Sequence, residues 1–598
     1  MKNIETVRHS LSHIMAYAVR ELYPKAKFGI GPAIDNGFYY DFALPSDLSA
    51  EAQRAKEGAS GEGGTFSPND LPKIEKKMKE LIKQDIEFTK KVISKTEAKK
   101  TLKDQPYKLE LIKELPGKTV SIYKSGDFVD LCKGPHVKFS KEINPDGFKL
   151  TKTAGAYWRG SEKNKMLTRI YGVAFETKKE LEDYIKLQEE AEKRDHRKIG
   201  EKLDLFIFSE IVGKGLPLFT EKGSIIRREL EKFVVEEEIK RGYKHVYTPD
   251  LAKVELYKKS GHYPYYKDTM YPVMKIDNEE LILRPMTCPH HYQLYLARPR
   301  SYKELPFRIA ELAKQFRYEK SGELSGLIRV RMFCLADAHI ICQKEKAVEE
   351  INNVLDLIEF VAPTLGMKKG VDFRYRLSLG DRKDKKKYYK DDKAWDFAES
   401  VLRKVLKERK SPFFEAENEA AFYGPKIDIQ MKNFAGKEDT VFTVQYDFVG
   451  PKRFELFYTN EKGKKEEPIV IHRSSIGCIE RTMAFLIERF GGAFPVWLSP
   501  VQVSIIPISE KHNSYASEIK KELEKNKIRT ELKSENETMG KKIREAEIQK
   551  IPYLLVVGDK EVEAKSVAVR ERGKGNTGIM ETAKFIEKIK KEIETKSI

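Results

Sequence analysis

Apolar residues fall at three- and four-residue spacing through SIIRRELEKFVVEEEIKRGY (224–243), with charges between them, and predict a helix that buries one face. KIDIQMK (426–432), TVFTVQYDF (440–448) and EPIVIHR (467–473) alternate or run apolar over lengths that suit strands. Such strands exchange with long helices from Asp204 to Trp497, which predicts an antiparallel sheet flanked by helices. After Leu498 the order becomes VQVSIIPI, a helix, IRTELK, a helix, YLLVVG, SVAVRER and a terminal helix, and predicts an α/β domain with a mainly parallel sheet. The first 176 residues mix helices and short strands in an α+β pattern, broken by a Gly-, Ser- and charge-rich loop extension over 46–70. Residues 177–203 carry helical spacing amid dense charge, as an exposed linker helix would. The expectation is an α+β multidomain chain divided into 1–176, the linker 177–203, 204–497 and 498–598.

A chain of 598 residues suits three or four domains, and 40% hydrophobic with 34% charged residues excludes a disordered protein. The net charge of +19 changes the picture more, because it favours a polyanionic partner, nucleic acid ahead of a membrane surface. No apolar run approaches a membrane span, and Glu5 and Glu21 interrupt what would otherwise be a leader. Five scattered cysteines suit a reducing cytoplasm, where their special roles are ligation or catalysis.

Two pairs mark the first domain: His9 and His13 in RHSLSHIMA, and Cys132 and His136 in DLCKGPHV. Each is spaced i, i+4, which on a helix puts both side chains on one face. The four donors suit zinc. They equally suit a hydrolytic pocket in which imidazoles move protons while the thiol and Asp130 orient water. A lone His pair on an amphipathic helix is more often structural. The second pair and the Gly/Pro-rich loops GPAIDNGFYYDF (31–42) and KGPHV favour a reaction centre.

In the middle of the chain, RPMTCPHH (284–291), FRYEKSGELSGLIRVRMFCLADAHIIC (316–342) and VIHRSSIGCIER (470–481) hold polar residues that a core would not choose. Arg317, Arg329 and Arg331 offer forked donors for phosphate, Glu319 can hold an amine or order a metal, and Phe333 offers a stacking face. FRYE sits between apolar runs, which argues against a solvated charge patch.

FRYE resembles motif 2 of the class II aminoacyl-tRNA synthetases, GCIER resembles motif 3, and residues 227–249 resemble motif 1. RPMTCP, DAHIIC, AFYGPKI and IHR narrow the resemblance to the threonyl branch, and it spans nearly the whole chain. The N-terminal pairs are similar to that branch's editing domain; NETMGKKIRE, VGDKEVE and VAVRERG are similar to its anticodon-binding domain. The resemblance implies a class II antiparallel-sheet catalytic core with an α+β editing domain and a C-terminal α/β anticodon-binding domain. It implies a cytoplasmic homodimer that activates L-threonine with ATP and Mg²⁺, transfers it to tRNA(Thr) and hydrolyses Ser-tRNA(Thr). The family's small N-terminal ubiquitin-like domain is expected to be absent, the chain starting at the editing helix.

Residue by residue, the resemblance makes Cys288, His339 and His472 the ligands of one zinc per chain, and Asp337 the acceptor of the threonine hydroxyl proton. Arg317, Arg481 and Lys426 become catalytic; Glu319 and Phe333 hold the adenine end, and Arg329 the phosphates. Met286, Tyr423 and Gln445 complete the substrate contacts. Zinc can take both the amine and the hydroxyl of threonine, so valine is rejected. Serine lacks only a methyl, worth roughly 1–3 kcal/mol, and a second hydrolytic site is the remedy. His9, His13, Tyr40, Lys108, Asp130, Cys132 and His136 would form that editing site, without metal. Asn536, Arg544, Glu561 and Arg570 would read the anticodon. The chain departs from the family pattern at Leu335, Ala420, Thr440, Phe442 and Cys478. Two other readings are a paralogue that binds or deacylates tRNA without charging it, and a basic RNA-binding protein with a structural zinc.

Overall fold

The computed structural model describes residues 3–598 apart from 45–65, 162, 385, 435 and 437. The chain forms two compact units, Met1–Gln188 and Glu189–Ile598. Most of the loop extension read over 46–70 lies outside the described residues; its end, Pro68–Asp70, is a short 3₁₀ turn leading into helix Leu71–Lys83.

The first unit opens with helix Ile4–Leu22, started by the Asn3 side chain accepting the Glu5 amide. Leu11, Ile14, Met15 and Ala18 are buried along it. Strands Lys27–Phe28, Gly37–Ala43, Met166–Ala174 and Phe148–Tyr157 form an antiparallel sheet in that spatial order, and Ala33–Ile34 pairs with Gly37–Ala43. A second antiparallel sheet joins Phe88–Ser94, Thr119–Ser125 and Phe128–Leu131.

The second unit is built on an eight-stranded sheet. Phe307–Phe316, Met332–Cys342, Ile469–Cys478, Glu438–Asp447, Lys426–Lys432 and Phe373–Ser378 run antiparallel in that order. One parallel edge strand closes each side, Lys244–His245 and Phe413–Ala416. Ile469–Cys478 is buried along nearly its whole length, so its polar residues His472, Arg473, Ser474 and Ser475 are held away from bulk water. The helix read over 224–243 is Glu221–Lys240, started by Thr220.

Two expectations are corrected. The linker read as one helix is two, Lys178–Lys193 and His196–Lys202, because the Asp195 side chain accepts the Arg197 amide and begins a new helix. The C-terminal sheet is mixed rather than mainly parallel. Val503–Pro507 runs parallel to Thr530–Leu532 and Tyr553–Val557, whereas Ser566–Glu571 and Gly575–Glu581 continue antiparallel. The connection from Val557 to Ser566 holds only the short helix Asp559–Glu563, less than a parallel crossover requires.

Candidate active sites

Strand register assembles the first site. His339 stands opposite His472, His472 opposite Gln445, and Gln445 opposite Lys426, so one row of side chains crosses four strands. Two residues along each strand runs a second row, Asp337, Ser474, Thr443 and Asp428. Residues two apart share a strand face, so both rows look the same way. The cavity above them, about 1050 Å³, is lined by all three residues read as metal ligands and by Met286, Arg317, Glu319, Arg329, Phe333, Asp337, Tyr423, Lys426, Gln445 and Arg481.

Cys288 begins helix Cys288–Leu296, and its sulfur lies with one ring nitrogen each of His339 and His472 in a cluster no wider than 4.8 Å. Burial holds His339 well below the usual imidazole range and pushes the Cys288 thiol well up. His472 Nε2 is 2.8 Å from Asp447, which also accepts the Tyr292 hydroxyl at 2.9 Å. His339 Nδ1 is 2.8 Å from His291 Nδ1, and His291 Nε2 is 3.4 Å from Glu311. A thiol and two imidazoles, buried and each imidazole backed by a polar partner, fit zinc and leave one side open to the cavity.

Beside the triad, Tyr423 stacks on His472 with ring centroids 4.9 Å apart and donates to Gln445 at 2.5 Å. Lys426 pairs with Asp428 at 2.9 Å. Burial raises Asp337, which accepts from Gln315 at 3.3 Å. Arg317 lies 5.1 Å over the Phe333 ring, and burial lowers its pKa. Arg329 pairs with Glu319 at 3.0 Å. Arg481 is held by the backbone carbonyls of Ile328 and Thr440, each at 3.2 Å. Because the Thr440 contact is to backbone, its side-chain departure leaves that anchor intact. Leu335, Ala420, Thr440 and Cys478 line the cavity, while Phe442 is buried in the core.

The first unit gathers a second site from four elements. His9 and His13 share one face of helix Ile4–Leu22, Tyr40 comes from Gly37–Ala43, Lys108 from helix Pro106–Glu114 and Asp130 from Phe128–Leu131. Cys132 and His136 are not on a helix as their spacing suggested; they lie in the loop after Leu131. Gly134 turns that loop at φ +75° and donates its amide to Cys132 Sγ at 3.3 Å, and a Cβ there would strike Tyr123. Cys132 Sγ lies 3.4 Å from His9 Nε2 and 3.3 Å from His136 Nε2. The other nitrogens are occupied: His9 Nδ1 donates to the Pro135 carbonyl at 3.1 Å, and His136 Nδ1 meets the Ser10 hydroxyl at 3.2 Å. Beneath them Lys108 pairs with Asp130 at 2.5 Å and donates to the Tyr40 hydroxyl at 2.9 Å, and Tyr40 donates to Asp130 at 2.5 Å. His13 Nε2 is 3.8 Å from Asp130. Burial lowers all three imidazoles and pushes the Cys132 thiol up to about 11, so the cluster is an array of neutral acceptors around a thiol. By donor distance alone this cluster, like the triad, can hold a metal.

Comparison with known proteins narrows what such sites serve. The class II tRNA synthetase core domain of the glycyl, histidyl, prolyl, seryl and threonyl type matches residues 271–490. An anticodon-binding domain matches 502–592, and the second additional domain of threonyl- and alanyl-tRNA synthetases matches 120–171. Threonine–tRNA ligase of Anoxybacillus flavithermus is 47% identical over 594 residues, which cover 99% of this chain and 89% of that protein. The chain belongs to the threonyl-tRNA synthetase family. Threonine–tRNA ligase of Staphylococcus carnosus is 48% identical over 596 residues, with the same coverage of both chains. The RNA-binding domain of a Cryptosporidium parvum threonyl-tRNA synthetase superposes with a TM-score of 0.63 at 33% identity, covering 66% of this chain and 98% of that one.

Of the residues that this family resemblance assigned to the anticodon, Asn536 and Arg544 are exposed, before and on helix Met539–Ile548. Arg570 lies on the neighbouring strand Ser566–Glu571, 3.7 Å from Glu547 at that helix's end. Glu561 does not join them: it is buried and accepts the Gly558 amide at 2.9 Å, starting its own short helix.

Sequence reasoning missed the partners of the Cys288–His339–His472 triad. His291 follows Cys288 by one helical turn, Glu311 is the one acid in the run RIAELAKQF, and Asp447 ends a strand. Each was visible as a polar residue at a buried position. His262 was also missed. It is buried, its Nε2 has no partner, and it lines a small cavity with Cys288, Tyr423 and His472.

Proposed function

We propose that the cleft of the eight-stranded sheet activates L-threonine with ATP and transfers it to tRNA(Thr), and that the His/Cys cluster of the first unit hydrolyses Ser-tRNA(Thr). The observation that carries the reading is the buried Cys288–His339–His472 triad opening into a cavity that arginines line on the nucleotide side.

Cys288, His339 and His472 would hold zinc, which supplies a Lewis-acid position able to take the threonine amine and hydroxyl together. Asp337 lies in the same row as Ser474, and as a half-buried acceptor on the cavity wall suits the hydroxyl proton. Arg317 and Arg481 neutralise charge that develops as the carboxylate attacks the α-phosphorus and pyrophosphate leaves. Phe333 and Glu319 hold the adenine end, Arg329 meets the phosphates, which carry Mg²⁺, and Met286, Tyr423, Lys426 and Gln445 complete the amino-acid wall. In the first unit, the neutral imidazoles of His9 and His136 can accept a hydrogen bond from water and orient it for attack, and the Lys108–Asp130–Tyr40 network fixes the floor of the pocket. This cluster works without metal.

Asn536, Arg544 and Arg570 face the anticodon, on the strength of their placement around one helix and strand, and the +19 net charge suits a tRNA partner. Ile211 and Tyr247 are 99% and 96% exposed, and with Ile207 and Ile239 they give the motif 1 region apolar surface suited to a second copy of the chain. Among the described residues no helix is long and apolar enough to cross a membrane, and all five cysteines are free, as a cytoplasmic enzyme would have them.

Cys288→Ala separates this reading from a structural zinc in an RNA-binding protein. The variant should lose metal and threonine activation together while Ser-tRNA hydrolysis persists. A full zinc complement, measured by elemental analysis of the folded variant, would refute the triad assignment.

A further inference from the structure

A neutral histidine carries hydrogen on one ring nitrogen, and its neighbours decide which one. Around the metal triad that decision can be traced outward. Glu311 is a buried carboxylate. Its Oε1 accepts from Arg284 at 3.0 Å and from the Thr248 amide at 3.2 Å, and its Oε2 accepts the Thr248 hydroxyl at 2.7 Å. Arg284 and both Thr248 groups are donors aimed at it, so the carboxylate faces three donors without counting His291. Glu311 therefore only accepts. His291 Nε2, 3.4 Å away, must carry the hydrogen, which leaves His291 Nδ1 as a bare acceptor. His339 Nδ1, 2.8 Å from it, must then donate, and His339 Nε2 is left as the lone pair available to an ion. On the other side Asp447 does the same in one step, accepting from His472 Nε2 and leaving Nδ1 bare.

We propose that Glu311, acting through His291, is a positioning residue that fixes the metal-ready tautomer of His339 and ties the metal site to the segment Thr248–Asp250. The inference rests on reading Cys288, His339 and His472 as the metal ligands. The outer end of the relay is anchored there by Arg284, which donates to the Thr248 hydroxyl at 2.6 Å and pairs with Asp250 at 3.0 Å. Burying Glu311 and Arg284 together inside the fold is costly for packing alone, and an apolar pair would serve as well. The relay gives that cost a function.

Glu311→Gln tests it with little change of shape. An amide can donate to His291 Nε2; His291 then donates from Nδ1, and the hydrogen of His339 moves to Nε2, where it blocks the ion. Zinc affinity of the folded chain, measured by competition with a chromophoric chelator, should fall about ten- to a hundredfold. The KM for threonine in pyrophosphate exchange should rise at limiting zinc, the KM for ATP should not, and added zinc should restore activity. His291→Asn rescues the logic, because its carbonyl accepts from His339 whatever stands at 311. In that background Glu311→Gln should cost almost nothing, a strongly non-additive cycle. If Glu311→Gln does not fold, His291→Phe, which cannot accept, should show the same loss of zinc. Normal zinc affinity in either folded variant, or additive losses in the cycle, would overturn the proposal. A wild-type chain that binds no zinc, or Cys288→Ala that retains it, would instead refute the triad and leave the two failures distinct.

Discussion

His13 is enclosed within the first unit, its Nδ1 without a partner and its Nε2 facing Asp130. Burial, then the neighbouring positive potential of His9 and Lys108, holds it well below the imidazole range. His9 and His136 are lowered too, again by burial first. On unfolding each returns to about 6.5. Below that pH the unfolded unit binds more protons than the folded one, so stability rises with pH and is lost as pH falls. Hydrogen-exchange protection of helix Ile4–Leu22, corrected for intrinsic rate, should drop between pH 7.5 and 5.5, and His13→Gln should flatten the drop. Protection independent of pH in the wild type would contradict the neutral cluster. Residue identity was legible where chemistry is unusual: the His/Cys pairs, the forked arginines and Asp337 within an apolar strand all stand out from their surroundings. What stayed illegible was the company each residue keeps. His291 and Glu311 acquire their meaning only when register places the strand Phe307–Phe316 beside Met332–Cys342.

Among the elements, helix Ile4–Leu22 carries the i, i+4 pair His9 and His13, and the pair faces the pocket as a helix dictates. The same spacing at Cys132 and His136 misled, because spacing alone does not distinguish a helical turn from a loop that Gly134 folds back. A His9→Ala, His13→Ala double variant should still activate threonine, yet pre-formed Ser-tRNA should survive in its presence. Equal deacylation by wild type and variant, both folded, would end the hydrolytic reading of this helix. The C-terminal sheet shows another limit: four of its strands were read, but Gly575–Glu581 was not, and direction depends on connection length, so that eight residues between Val557 and Ser566 force an antiparallel return. On that returning strand Arg570→Ala should weaken tRNA charging and leave tRNA-free threonine activation unchanged. Equal losses in both assays would mean damage to the fold.

For the molecule as a whole, the two candidate sites sit in different compact units, and each unit has a large core cluster of its own. The division of labour follows from what each pocket can distinguish. A metal held beside Asp337, as proposed, would demand an amine and a hydroxyl, so valine would fail at the first step, whereas serine differs by a methyl and would pass often enough to need removal afterwards. The basic charge and the exchange of strands with helices were readable as long patterns, and the class II core and the anticodon-binding domain through the resemblance of short motifs; the departures at Leu335 and Cys478 were readable only as letters, and the structure places both on the cavity wall. The most direct measurement is amino-acid-dependent ATP–pyrophosphate exchange by the zinc-loaded chain. Threonine should drive exchange strongly, serine should drive it measurably, and valine should not exceed background. Absence of threonine-dependent exchange from a folded, zinc-loaded chain, or exchange with valine equal to that with threonine, would contradict the account.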